Sequence, residues 1–443
     1  MKKFGLVGLA LIIALAIYYF TIGTTQIATQ MKATINTQLA SLQKQGFSVE
    51  NREVLDRKEH FILSFNEPEK VIQFFNAKGI RLYDNDAEAF KGLKIGVDVY
   101  YAADTYSSVS FDMYPVALPH TIRQAFELEE NKDALLRINK MLKEKTFFTH
   151  LSIAKLGSGF KGYMKDINES FEDKENIKIA MEGLTFSGNI KKNKIEKIKQ
   201  NIKSVSLEIS NEIKILLSNM KTKYSMTGDT KYDYSTEYSM EKMSLKRTQD
   251  FSLEMNNIDM RSVSTTKDGL ASGTLESKVK EIVLSQDTKK IALKDTTFAI
   301  KADNLDMSAF KKLQEVDPNN DKQIKALLQE LISKGIQVSI SKFAINKLEV
   351  EEQKMDGFTI DAKVNIDKTL NIASLEKNPI LAMSAIDASI NLNLSNELFT
   401  LIAQEPKVMM AAMIFRPKDI NGKKEYTLKL ENSKLTVNGM PVM

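Results

Sequence analysis

The sequence predicts a mainly β (α+β) protein: an N-terminal transmembrane helix followed by extended, curved antiparallel sheets covered by a few helices. The first observation is alternation. Phe358/Ile360/Ala362/Val364/Ile366 and Ile386/Ala388/Ile390/Leu392/Leu394 each place five apolar side chains at every second position, with Thr, Asp, Lys, Asn and Ser between them. Such a period of two marks a half-buried antiparallel strand. A doubly wound parallel sheet would show continuous apolar strands instead, so a Rossmann-like fold is disfavoured. The second observation is that apolar helical patterns interrupt the strands and can serve as lids. The third is a nineteen-residue apolar run, Phe4 to Ile22, long enough to cross the ~30 Å hydrocarbon core.

Taken in order, the apolar run follows Lys2 and Lys3, and no charge recurs until Lys32. The positive-inside rule puts the N-terminus in the cytoplasm and the bulk of the chain in the periplasm of a Gram-negative cell, as a single-pass inner-membrane protein. Phe4, Leu11, Ile17 and Ile22 sample the anchor. The small-x-small site Ala14-Leu15-Ala16 lies inside the run and is followed by Ile17, Tyr18, Tyr19 and Phe20. Those residues suit a membrane-interface belt, so the segment is read as retained. Ile380 to Ala385 and Val408 to Phe415 are too short to span and are expected in buried core. The expected domains are 1–23 (anchor), 24–46 (juxtamembrane helix), 47–165 (α+β) and 166–443 (β-rich with lid helices).

The juxtamembrane helix carries Ile27, Met31, Ile35, Leu39 and Leu42 on one stripe, and Gly46 closes it. That stripe can pack on the following domain or form a homodimer seam continuing from the membrane. A helix is expected from Thr121 to Lys145. In the β-rich region Asp306 caps a helix from Met307, Asn319 to Lys334 is helical, and Asn396 to Phe415 is helical with a break at Pro406. The strand arrays resemble one another, with no fixed period.

Composition removes several functions. Cys is absent from the 443 residues, which excludes disulfides, thiolate metal sites and a cysteine nucleophile. Trp is absent, and the three His are His60, His120 and His150. None pairs at metal-ligand spacing or sits in a nucleophile-elbow sequence. A net charge of +5 with interleaved Lys and Glu argues against nucleic acid.

Individual motifs are weak. Gly157-Ser158-Gly159-Phe160-Lys161-Gly162 fits a dinucleotide fingerprint, but no helix pattern follows it, so a glycine-rich bend is expected. Asp317-Pro318-Asn319-Asn320-Asp321 begins like a calcium loop but has Lys322 where glycine belongs, and reads as a turn plus helix cap. Glu127/Glu129/Glu130 and Glu349/Glu351/Glu352 are expected on the surface. Tyr224, Tyr232, Tyr234 and Tyr238, with Met220, Met226 and Met240, read as cross-strand packing or an adaptable contact surface.

Three segments carry a resemblance. These are the Lys-Lys plus single-span start, Ala302-Asp303-Asn304-Leu305-Asp306-Met307 leading into a short helix, and the tail Leu435-Thr436-Val437-Asn438-Gly439-Met440-Pro441. Together they resemble the YdgA-like bacterial envelope proteins, a domain of unknown function. The resemblance implies an inner-membrane-anchored, periplasm-facing protein and supplies no catalytic residues.

The expected function is therefore non-enzymatic, without cofactor or metal: a binding or scaffold module in envelope maintenance, its partner another envelope protein. The alternative is apolar-ligand (lipid) binding on a concave sheet face formed by Phe358, Ile360, Val364, Ile386, Ile390 and Leu392. A carboxylate-based hydrolase ranks below both.

Overall fold

The structure, a computed structural model, describes residues 28–77, 87–88, 90–101, 106–126, 132–155, 159–171, 176–191, 194–210, 212–230, 232–248, 250–316, 320–372 and 383–442. Phe4, Leu11, Ile17, Ile22 and Ile27 lie outside them. Among the described residues no helix is long and apolar enough to cross a membrane. Strands dominate the described residues, and the mainly β expectation holds.

Two compact units divide the chain, residues 1–221 and 222–443. The division falls later than residue 165 because strands on both sides of that position pair. In the first unit β1 (Phe47–Val54), β2 (Lys58–Phe65), β3 (Lys94–Tyr101), β4 (Ser107–Ala117), β5 (Thr149–Ala154) and β6 (Gly159–Met164) form an antiparallel meander. β7 (Ile167–Phe171) pairs with β8 (Ile177–Glu182), while β6 pairs with β9 (Thr185–Lys191). β8 and β9 both lie along β10 (Lys194–Ile209).

Helices close one face of this sheet. α1 (Ala28–Lys44) contributes Ile35, Leu39 and Leu42 to a core that also holds Phe47, Leu63, Phe65 and Val97. Of the two readings of the stripe, packing on the following domain is the one observed at these three positions. An apolar side chain buried in its own core has no surface to offer a partner helix. Ile27 and the Met31 side chain lie outside what is described. α2 (Pro68–Ala77) adds Val71, Ile72, Phe74 and Phe75, with Phe75 stacked on Phe90 at 5.9 Å between ring centroids. Each such side chain, buried from water, contributes roughly 1.5–3 kcal/mol. The helix expected over 121–145 is observed as α3 (His120–Phe126) and α4 (Lys132–Lys143). The division between the units falls within β11 (Ile213–Met226).

The second unit is an antiparallel meander of long strands: β12 (Tyr234–Arg247), β13 (Phe251–Lys267), β14 (Leu270–Gln286), β15 (Lys289–Asp306), β16 (Ile336–Val350), β17 (Gln353–Ile366) and β18 (Ile386–Ser395). β18 pairs with β20 (Lys423–Glu431), which carries β19 (Lys418–Ile420) and β21 (Lys434–Val437). β22 (Met440–Pro441) closes a hairpin on β21. α5 (Met307–Glu315) and α6 (Asp321–Leu331) are inserted between β15 and β16. The expected caps are present: Asp306 accepts from the Ser308 and Ala309 amides, and Asn320 from that of Gln323. Pro406 separates α7 (Asn396–Ile402) from α8 (Pro406–Ile414), as its missing amide requires. One expectation fails here. No residue of α8 is buried, although Val408 to Phe415 was expected in core.

A recurrence escaped the sequence reading. β11 begins at Ile213, β13 at Phe251 and β15 at Lys289, 38 residues apart. Asn219, Asn257 and Asp295, also 38 apart, share a left-handed backbone near φ 50°. Around them the apolar alternation slips by one position: Met255 is followed by Ile258, and Leu293 is followed three residues later by Thr296, a polar residue in a row that is otherwise apolar from Met240 to Leu394. In the neighbouring strands Met240 gives way to Met243, Val279 to Ile282, Ile345 to Leu348 and Met355 to Phe358 at the same level of the ladder. In a regular strand this slip would send one half of the apolar set to the wet face. Instead Met355 and Phe358 pack in one cluster with Leu348 and Leu394, so the apolar side stays continuous. Next to Phe358, a Cβ at Gly357 would run into the Ile345 carbonyl oxygen, so that position admits only glycine without backbone movement.

Candidate functional site: an open apolar sheet face

The six residues singled out in the sequence come together on one face of the second unit. Ile360 lies opposite Leu392, Phe358 opposite Leu394 and Ile366 opposite Ile386. Ala362 faces Ile390, and Val364 faces Ala388. On the other side of β17 the same face continues through Phe343 and Ile345, then through Phe298 and Ile300 of β15. Phe298, Phe343 and Phe358 contact edge to face, at 6.0 and 5.3 Å between centroids.

Each end of this face is plugged. At one end Leu398, Phe399, Leu401 and Ile402 of α7 pack on Phe358, Leu392, Leu394 and Tyr426. Ser395 fixes the helix start by accepting from the Leu398 amide at 3.1 Å. At the other end Ile332, Leu370 and Ala385 pack with Ile336, Ile366 and Ile386. Between the plugs Phe298, Ile300, Ile340, Phe343, Ile360, Val364, Ile390 and Leu428 are all only half-buried. The reverse face is polar, with the Asn391 amide donating to Asp361 at 2.8 Å and Gln337 to Asn365 at 2.9 Å. The result is an apolar trough with closed ends and an open middle. Across the strands the open middle runs about 19 Å, four strand spacings, along the row Ile300, Ile340, Ala362, Ile390 and Leu428.

The first unit carries a different constellation that the sequence reading missed. His60, Asp98, Asp112, His150 and Tyr163 form one row across β2 to β6. His60 Nδ1 lies 3.0 Å from Asp98, and His150 Nδ1 lies 2.6 Å from Asp112. The other His150 nitrogen is 2.8 Å from Ser152 Oγ, which is 3.1 Å from Ser110 Oγ. Strand register alone creates this arrangement. Its signal was two triplets, Ser110-Phe111-Asp112 and His150-Leu151-Ser152, each holding polar residues at alternate positions inside an apolar strand. The order Asp–His–Ser follows a hydrolase triad. Accessibility does not follow it, because Ser152 is 1% exposed and Ser110 also buried.

Beside that row lies a cavity of about 310 Å³ lined by Glu53, Leu55, Lys58, His60, Asp98, Tyr114 and Lys145. Burial would raise the Asp98 carboxyl. The His60 hydrogen bond, the Lys58 charge, the Tyr114 hydrogen bond and the Lys145 charge outweigh it and hold Asp98 below the ordinary range. Deeper in the unit Glu59 is buried between Arg52, at 2.5 Å, and the Tyr101 hydroxyl, at 2.9 Å. Burial, and then that carboxylate, push the Tyr101 phenol far above its usual value.

The remaining motifs are structural. Gly159 to Gly162 lie in β6, where a Cβ at Gly162 would collide with the Phe186 ring and the His150 carbonyl, so the glycine serves close packing. Asn320 is a helix cap, and Asp317 to Asn319 lie outside the described residues. Glu351 and Glu352 occupy a turn, Glu349 lies 3.8 Å from Lys294, and Glu127, Glu129 and Glu130 lie outside the described residues. Tyr224 stacks on Tyr234 at 6.1 Å, and the Tyr238 hydroxyl lies 3.4 Å from Met240 Sδ. Among the described residues no group of three or more His, Asp or Glu is placed to hold a metal ion.

Fold and face together define a class: a strand-rich sheet protein with an open apolar side. The chain belongs to a family described as bacterial protein of unknown function (DUF945), whose model matches residues 123–443. The match includes the tail noted above, where Asn438 and Gly439 make the left-handed turn of the closing hairpin. No curated protein and no solved structure matches the chain.

Proposed function

We propose that this protein is a membrane-tethered, non-enzymatic module of the bacterial envelope whose second unit holds a lipid acyl chain on its apolar face. The observation that carries the reading is the half-buried patch of Phe343, Ile360 and Ile390 between two plugged ends. The trough exceeds the ~15 Å depth of one bilayer leaflet, the reach of a single acyl chain. Contact on one side removes about half of each methylene from water, roughly 0.4 kcal/mol per CH₂ and about 6 kcal/mol for sixteen carbons. Before the entropy of immobilisation, that corresponds to a dissociation constant on the order of 10–100 μM. Binding of that strength suits a ligand that is taken up and handed on.

The Phe4-to-Ile22 run and the narrower YdgA-like resemblance support tethering at the inner membrane with the sheet on the periplasmic side. The buried Ser152 hydroxyl supports a reading without hydrolytic chemistry. Native mass spectrometry of the purified full chain tests the proposal. The expected result is co-purified phospholipid or fatty acid, lost at least tenfold in I390D with circular dichroism unchanged. Lipid retained by I390D, or none on the parent chain, contradicts it.

A further inference from the structure

α8 is an unusual helix for a protein surface. Apart from Lys407, its exposed residues are apolar: Met409 is 51% exposed, Met410 59%, Met413 71% and Ile414 60%. Val408, Ala412 and Phe415, on the side leaning toward the protein, are only half-buried. A surface helix ordinarily turns polar residues outward, whereas one that is apolar all round belongs in a core or in lipid. No core receives this one. Ile420, in the hairpin that follows, is exposed as well.

We propose that α8 inserts into the surface of a bilayer containing anionic lipid, as a contact separate from any N-terminal span. Three features favour a bilayer over a protein groove. A groove-binding helix offers one apolar stripe and keeps a wet back. Here the apolar residues cover the outward half and the inward side as well. The helix is about 13 Å long, too short to span ~30 Å and suited to one leaflet. Basic residues stand at both ends, Lys407 before the apolar run and Arg416 and Lys418 after it, all exposed. Of the nearby acids, Asp419 is held by Lys424 at 2.6 Å, while Glu405 precedes the helix. Cations framing an apolar insert complement anionic headgroups, and the Met side chains adapt to a disordered medium. Asn438 donates to the Arg416 carbonyl at 2.7 Å, which ties the helix end to the closing hairpin.

Because the chain has no Cys, a single label is unambiguous. Full-length M413C and M410C, labelled with an environment-sensitive fluorophore, are reconstituted in phosphatidylglycerol–phosphatidylethanolamine vesicles. L136C, on an exposed site of the first unit, is the control. The expected result is a blue shift at 413 and 410, with quenching by acyl-chain spin-labelled lipid at least threefold stronger than at 136. Phosphatidylcholine vesicles, or the K407E/R416E variant, should weaken both effects. Equal emission at 413 and 136 in the anionic vesicles overturns the proposal. So does a shift that appears without lipid and grows with protein concentration, which would make the occupant a second copy. Neither readout depends on whether the trough holds lipid, so the two proposals fail separately.

Discussion

The two units read the same alternating code and end differently. In the first, the sheet face of Leu63, Val97 and Phe65 disappears under α1 and α2, and the largest side chains are almost wholly buried. In the second, a longer sheet with the same alternation, slipped once along its strands, is plugged only at its ends, and its middle stays half-buried. Alternation therefore establishes that a strand has an apolar side, not what covers it. The cover depends on helices whose placement no strand pattern encodes. A fully covered face contributes stability, and a partly covered one is free to hold something else.

The largest test of this contrast is a pair of truncations. Leu63→Ala, at a position with 0% exposure, should cost about 3–5 kcal/mol. Ile390→Ala, which leaves no closed cavity, should cost about 1 kcal/mol or less. Urea titrations of the two variants measure both, and equal losses would mean that the second face is as closed as the first.

Acid should separate the units next. Asp98 is depressed in the folded chain, so its contribution is present above the unfolded value of about 3.9 and is lost as pH falls through its lower folded value. Asp98→Asn should destabilise the first unit by roughly 1–3 kcal/mol at pH 7, with the difference from the parent shrinking below about pH 4. A difference that persists unchanged at pH 2 would contradict the pairing. The smallest effect concerns Thr296, whose buried hydroxyl has no hydrogen-bond partner in the structure. Thr296→Val should stabilise the second unit by about 1 kcal/mol, seen as a higher urea midpoint with unchanged slope.

Much of the second unit was legible in the sequence. Strands such as Phe358 to Ile366, the Asp306 cap and the break at Pro406 follow from local rules that act within a few residues. Two things were not legible. The slip at Asn257 and Asp295 breaks the alternation inside β13 and β15, and a bulge between Ile340 and Phe343 breaks it inside β16, so each long strand looks like shorter runs. The slip makes physical sense only with a left-handed residue, which Asn and Asp tolerate but do not announce. The His60–Asp98–Asp112–His150 row is set by register among four strands, and register is a tertiary property. Val408 to Phe415 was misplaced for a different reason. An apolar run is normally buried, and nothing in its composition distinguishes a core helix from one that faces a bilayer.

On the proposed function, lipid occupies one side of β18 and not the other. Successive residues of a strand face opposite sides, so a photoreactive benzoyl-phenylalanine at Ile390 probes the trough, and one at Ser389 probes the polar face. Irradiated in cells, the full chain carrying the probe at 390 should form a phospholipid adduct detectable by mass spectrometry, and the chain carrying it at 389 should not. Adducts of equal yield at both positions, or none at 390, would contradict the account.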